Sequence, residues 1–313
     1  MIGITAAALP KATICIPVRP STRDFCADCR TGKADGDDIR TGVASDPNYE
    51  SDSDRIEETG GRVCRVKGDR PMTGYEPLAT LKPVAPEIWL VDGPQVRFYG
   101  MPFPTRMVVI RLNNGELLLL SPIAFSQALA DELAALGRVR HLVSPNWIHY
   151  AGIPGWQAAF PDAVTWAAPN VRARAAKRGV AVRFDRDLSD APETEWRGEI
   201  DQMIVHGSAV HQEVVFFHIA SATLILTDLI ENLEPRNLRW WVIPLAWLGG
   251  VLAPNGAMPR DMRQTFQRDR AALREAVERM LAWAPERVII AHGRWFERDG
   301  AGELRRAFGW LLR

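Results

Sequence analysis

Cysteine is missing from most of this chain: Cys15, Cys26, Cys29 and Cys64 are the only four, and nothing beyond residue 64 contributes a thiol. The remainder therefore uses neither disulfides nor thiolate metal ligands. Net charge is also missing, with 38 basic against 38 acidic side chains and no long Lys/Arg run. A neutral chain has no long-range field to attract polyanions, which argues against nucleic acid and against an anionic membrane as partners. No apolar run reaches the roughly eighteen residues of a membrane-spanning helix. The nearest stretch, Trp240 to Ala253, is interrupted by Pro244 and by Gly249-Gly250. The amino terminus has no basic residue ahead of its short apolar run and makes a poor secretory signal, so a cytoplasmic location is expected.

Tryptophan is absent before Trp89, although the chain has eleven. From Ser21 to Arg70 the sequence is rich in Asp, Glu, Arg, Ser, Thr and Gly and shows neither helical nor strand periodicity. Such a segment cannot bury enough apolar surface to offset its ordering entropy, so residues 1–71 are expected to be disordered. Composition changes abruptly at Met72, which suggests that 1–71 are a leader translated from a misplaced start codon. An extended arm is expected over 72–87 and a single domain over 88–313. Cys26-Ala-Asp-Cys29 has the spacing of a zinc knot, but the other two cysteines are isolated, so the pair reads as incidental.

What is present after Met72 is a succession of short apolar runs. Ile88–Val91, Val96–Tyr99, Met107–Leu112 and Glu116–Leu120 are close-set strand candidates divided by turn signals, with Asn113-Asn114-Gly115 marking a hairpin. Helical spacing follows over Phe125–Leu136, then a strand at Val139–Val143, a short helix near Gly155–Phe160, a strand at Ala163–Ala167 and a helix over Val171–Lys177. The second half repeats the plan. Strands are expected at Ile200–Val205, Glu213–His218, Thr223–Thr227 and Arg287–Ala291, with helices near Asp261–Ala284 and Gly302–Leu312. This order suits an α/β chain with two mixed sheets face to face and helices outside, a four-layer αββα sandwich. The apolar segment around Trp240, Trp241 and Trp247 reads as a core helix, the alternative being a lid or dimer contact. Arg172, Arg174, Lys177 and Arg178 read as a solvated helix face.

Three strand ends carry polar chemistry: Val143 leads into Ser144–Tyr150, Leu226 into Asp228, and Ile290 into His292. Open α/β sheets place their sites beyond the carboxyl ends of strands. His149, Asp228 and His292 converging there would form a set of two histidines and one carboxylate, suited to one zinc or iron ion with open positions. Each residue also has a purely structural reading: His149 as a helix cap, Asp228 as the cap of a turn, and His292 as a buried, satisfied imidazole.

With these segments in place, the stretch from about residue 85 onward resembles the metallo-β-lactamase superfamily, and more closely a divergent branch known only as a domain of unknown function. The family signature Thr-His-x-His-x-Asp-His-x-Gly falls on Ser144, Pro145, Trp147, His149, Tyr150 and Gly152. The resemblance puts the bridging aspartate on Asp228 and the closing histidine on His292. It also implies that the first metal site is lost, because Pro145 and Trp147 occupy its two histidine positions and neither can ligate. The second site would draw on His149, Asp228 and His292, with Tyr150 a fourth candidate. Ser144, Asn146, Trp147, Tyr150, His206 and His211 are expected to line a pocket for a small-molecule ligand, with His206 or His211 able to move protons. Two functions are consistent with this: a mononuclear metal-dependent hydrolase of an ester, thioester or phosphoester, or a metal-free, non-catalytic small-molecule-binding or scaffold descendant of the fold. The leader hypothesis predicts that peptide mapping of the endogenous protein will lack the tryptic fragment from Ile56 to Arg62; its detection would overturn the hypothesis.

Overall fold

The structure is a computed structural model that describes residues 75–98, 101–208 and 210–313. The expected leader and Cys26-Ala-Asp-Cys29 lie outside them. Seven strands form one sheet in chain order: β1 (Lys82–Ala85), β2 (Ile88–Phe98), β3 (Met101–Arg111), β4 (Glu116–Leu120), β5 (Arg138–Ser144), β6 (Val164–Ala167) and β7 (Arg186–Asp187). The strands up to β4 pair antiparallel, as short hairpins allow, and those from β4 onward pair parallel. Parallel pairing needs crossovers, and α1 (Gln127–Leu136), α2 (Ile153–Ala159) and α3 (Val171–Lys177) supply them. Local chemistry sets the limits of α1: Ser126 accepts the Leu129 N–H at its start, and the Gly137 N–H closes it on the Leu133 carbonyl.

The second sheet has the order β11-β10-β9-β8, built from β8 (Ile200–Val205), β9 (Glu213–His218), β10 (Thr223–Ile225) and β11 (Arg287–Ile289). Between β10 and β11 run a 3-10 turn (Pro235–Asn237), α4 (Ile243–Gly249), α5 (Arg260–Thr265) and α6 (Arg270–Ala282); α7 (Gly300–Ala307) and α8 (Gly309–Leu312) end the chain. Period-two alternation assigns the faces of this sheet. Val214, Phe216, Ile225 and Ile289 join the core of the first sheet. Their neighbours Val215, Phe217, Leu224, Val288 and Ile290 pack instead with Leu273, Val277 and Met280 of α6 and Leu304 of α7. Leu129, Leu133, Trp156, Val171 and Ala175 of the crossover helices belong to the first core. The result is the expected αββα sandwich. Leu117–Leu120 are buried without interruption, as a strand covered on both faces requires.

Local differences from the sequence reading have physical causes. The stretch 72–87, read as an arm, contributes β1 to the sheet. Asp92-Gly93, between the expected strands Ile88–Val91 and Val96–Tyr99, sits inside the single long strand β2, with a shift of register between Gly93 and Val96. Gly93 is needed there for close approach, since a Cβ would stand 2.4 Å from the Thr105 hydroxyl. The helix expected over 261–284 is two helices, because Asp269 caps a new one by accepting the Ala272 N–H. The helix expected over 302–312 is likewise interrupted, at the buried Phe308.

Asp92 is buried because Arg106 of β3 meets it at 2.8 Å, with both side chains almost wholly enclosed. The same guanidinium donates to the carbonyls of Ile290 at 2.7 Å and Gly293 at 2.9 Å, so a residue of the first sheet holds the segment that leaves the second. Arg106→Met leaves Asp92 and two carbonyls without their main donor. It is expected to lower the unfolding free energy by about 3–5 kcal/mol, the usual result of breaking one side of a buried pair, as measured by denaturant titration.

Candidate metal centre

The loop after β5 is built by its own polar groups. The Ser144 hydroxyl donates to the Asn146 carbonyl at 2.9 Å, and the Pro145 carbonyl accepts the Val214 N–H at 2.8 Å, tying the loop to β9. The Asn146 side-chain oxygen accepts the N–H groups of Ile148 at 2.9 Å and His149 at 3.2 Å, which turns the chain and aims His149. Its amide nitrogen donates to the Thr227 hydroxyl at 2.9 Å and to Asp228 Oδ2 at 2.7 Å. One buried asparagine thus joins two of the three strand-end loops.

Glu213, fully buried at the start of β9, organises the next loop. It accepts the N–H groups of Thr227 at 2.6 Å, Asp228 at 2.8 Å and Leu229 at 3.2 Å. His211 Nε2 stands 3.3 Å from the same carboxylate. The third loop follows β11. Gly293 there adopts φ +97°, and a Cβ would meet the Asn232 carbonyl at 2.2 Å, so only glycine lets the chain turn back at this point.

These loops bring His149, Asp228 and His292 together. Asp228 Oδ1 lies 3.1 Å from His149 Nε2 and 3.0 Å from His292 Nε2. Each imidazole is held from behind: His292 Nδ1 donates to the Pro104 carbonyl at 2.7 Å, and His149 Nδ1 pairs with the Ser121 hydroxyl at 2.6 Å. The edge of Phe103 packs on His292 with ring centroids 5.3 Å apart. Burial alone would raise the Asp228 carboxyl, but the charge and hydrogen bonds of the two histidines hold it well below the usual range. Burial would lower His292, and its bond to Asp228 outweighs that and raises it. His211 is raised in the same way by Glu213.

The donor set fits a metal ion. His292 gives its Nδ1 proton to a carbonyl, which leaves Nε2 as the ligand atom, the arrangement typical of ligating histidines. Asn146 occupies Asp228 Oδ2 and leaves Oδ1 toward the histidines. Two nitrogens and one oxygen suit one zinc or iron ion. His211, Glu213 and Asp228 form a second cluster of compatible groups. There the fit is poor, because the Glu213 oxygens already take three backbone N–H groups and the His211 ring.

A cavity of about 540 Å³ opens above the three residues, with Trp147, His149, His211, Glu231, Leu245 and Met262 in its wall. Of the expected pocket residues, Trp147 and His211 line it. Ser144 and Asn146 lie buried behind the wall, and Tyr150 is packed in the first core, 1% exposed. His206 is exposed beside Asp190, away from the cavity. Arg174 lies 4.2 Å over the Trp147 ring, so the helix face read as solvated also supports the wall. The core-helix reading of the Trp240 segment is met only in part: Val242 and Ala246 are buried in a small cluster with Leu233, Leu238 and Val251. Val242, just before α4, and Leu245, Ala246 and Gly249 on it line the cavity, while Trp240 is 81% and Trp247 69% exposed. Ser121, Glu213 and Glu231 escaped sequence reasoning; the one available signal was the charge of Glu213 opening the otherwise apolar run Glu213–Phe217.

Comparison with known proteins agrees with this fold. Residues 86–240 match the family described as domain of unknown function DUF4336. No curated protein sequence matches. Among solved structures, the metallo-β-lactamase from Pontibacter korlensis superposes with TM-score 0.52 at 12% identity, covering 75% of this chain and 99% of that one. The DIM-1 metallo-β-lactamase exposed to ceftazidime gives 0.54 at 14%, covering 74% and 95%. The FIM-1 enzyme of Pseudomonas aeruginosa, in its mono-zinc form, gives 0.51 at 12%, covering 75% and 96%. The fold is therefore that of the metallo-β-lactamases, carrying only part of their set of metal-binding residues.

Glu213→Gln keeps the shape but turns an NH₂ toward backbone donors. It is expected to cost about 2–4 kcal/mol in unfolding free energy, since buried N–H groups lose a charged acceptor; a loss below about 0.5 kcal/mol, the scale of a surface change, in thermal or denaturant unfolding would show that the carboxylate does not anchor the loop.

Proposed function

We propose that this metallo-β-lactamase-fold protein is a mononuclear metal-dependent hydrolase of a carboxylic ester or thioester, with His149, Asp228 and His292 holding one zinc or iron ion. The observation that carries the proposal is the convergence of His149 Nε2 and His292 Nε2 on Asp228 Oδ1, at 3.1 and 3.0 Å, in the wall of an open cavity. When bound, such an ion supplies Lewis acidity toward a carbonyl oxygen and toward water. The remaining work falls to the chain. Pro104 and Ser121 fix the two imidazoles, Asn146 fixes the carboxylate, and the apolar wall from Trp147 to Met262 limits the water around a bound substrate. His211 lines the cavity, and Glu213 favours its protonated form, which makes it the side chain able to give a proton to a leaving group. The carboxylates of Glu231 and Asp261 in the same wall repel a phosphate, which places a phosphoester behind the other two substrates.

One observation favours the second reading, a metal-free binding or scaffold protein. The three side chains already satisfy one another through hydrogen bonds, a reading that accords with the family resemblance, which puts Pro145 and Trp147 at two histidine positions. Among the described residues no helix is long and apolar enough to cross a membrane.

Metal content separates the two. Full-length protein purified without chelator or histidine tag is expected to carry about one equivalent of zinc or iron, lost in His149→Ala, Asp228→Ala and His292→Ala. Absence of metal even after refilling with zinc, iron and manganese would leave the metal-free reading. Because the His292 pKa is raised, its proton competes with the ion at neutral pH. Zinc uptake should therefore release protons and weaken as pH falls through and below neutrality, measured by titration in buffers of different ionisation enthalpy.

A further inference from the structure

Glu231 follows Asp228 by three residues, on the stretch that carries the chain away from β10; its backbone N–H bonds to the Ala257 carbonyl at 3.2 Å. Its side chain lines the cavity, in a wall that also holds Leu233, Val242, Val251 and Met262. Among the described residues no hydrogen bond or ion pair satisfies its carboxylate, in contrast to Asp228, Glu213 and Asp92, each of which is held by side-chain or backbone donors. Burial lifts its pKa to about 7, a shift that the attraction of His292 does not cancel and that Asp228 and Asp261 add to. Nor does it belong to either group of residues that could share a metal ion. The side chain is half-buried, so its carboxylate keeps contact with the open cavity but meets no donor from the protein, and a ligand entering there would supply one.

We infer that Glu231 is the recognition group for a protonated amine carried by an otherwise apolar ligand. The amine end would sit at Glu231, with Asp261 of α5 adding a second negative charge to the same wall, and the apolar body would lie along Val242 and along Leu245 and Ala246 of α4. A carboxylate or phosphate at that end of the ligand would be repelled. The inference shares its cavity with the hydrolase reading and rests on that cavity being the ligand site; it does not require a metal.

Binding of decylamine, decanol and decanoate to full-length, chelator-treated protein tests it, followed by tryptophan fluorescence because Trp147 lines the cavity. Decylamine is expected to bind about tenfold more tightly than decanol, the scale of one charge-assisted hydrogen bond, with decanoate weakest. Glu231→Gln should bring decylamine to the level of decanol, leave decanol unchanged, and keep the thermal midpoint because no protein donor loses its partner. Equal affinities in the parent, or an amine preference that survives Glu231→Gln, would overturn the assignment. So would loss of bound zinc in Glu231→Gln with zinc retained in the parent, which would make Glu231 a metal ligand. If the parent binds no metal but prefers the amine, the hydrolase reading fails and the assignment of Glu231 stands.

Discussion

The buried carboxylate of Glu213 is the constraint on which the site depends. It takes the N–H groups of Thr227, Asp228 and Leu229, so the turn after β10 is shaped around a negative charge that never meets solvent. Three donors arranged on one carboxylate fix the backbone direction at Asp228, and Asn146 then fixes its side chain. Without that turn, Asp228 could not meet two histidines that come from loops far apart in sequence. The charge is tolerated because each of its oxygens is matched, the condition under which buried ions are retained.

Arg106 does for the third loop what Glu213 does for the second. It reaches from the seven-stranded sheet to the carbonyls of Ile290 and Gly293, on either side of the segment carrying His292. The Pro104 carbonyl, from the same strand, orients the imidazole itself. The first sheet therefore positions a group that the second sheet delivers, and the packing of the two sheets determines the geometry of the site. A site assembled this way is as rigid as the sandwich around it.

The polar floor and the apolar wall divide the chemistry. His149, Asp228 and His292 neutralise one another, whereas Glu231 faces the cavity with no partner among the described residues. One arrangement is satisfied before any ligand arrives, and the other calls for one. The α4 segment closes one side with small and aliphatic groups, buries Val242 and Ala246 in a small cluster with Leu233 and Val251, and turns Trp240 and Trp247 outward.

Much of this was legible in the chain itself. Periodicity alone located most strands and helices, and the sandwich followed from close-set hairpins leading into strand–helix alternation. His149, Asp228 and His292 could be singled out because each follows an apolar run that ends abruptly, a local signal. Glu213 and Glu231 could not be singled out, because a lone acidic residue beside apolar neighbours looks the same whether it anchors a loop, faces a ligand or meets solvent. Tyr150 differs again: the resemblance made it a fourth ligand candidate, but the turn made by Asn146 aims His149 at the site while Tyr150 packs in the first core. Sequence determined which residues alternate, where helices are capped and which chemistries are absent, since those depend on near neighbours. Only the tertiary structure decided which polar groups meet and which stay unpaired, because hydrogen bonding and desolvation depend on atoms brought together from strands distant along the chain.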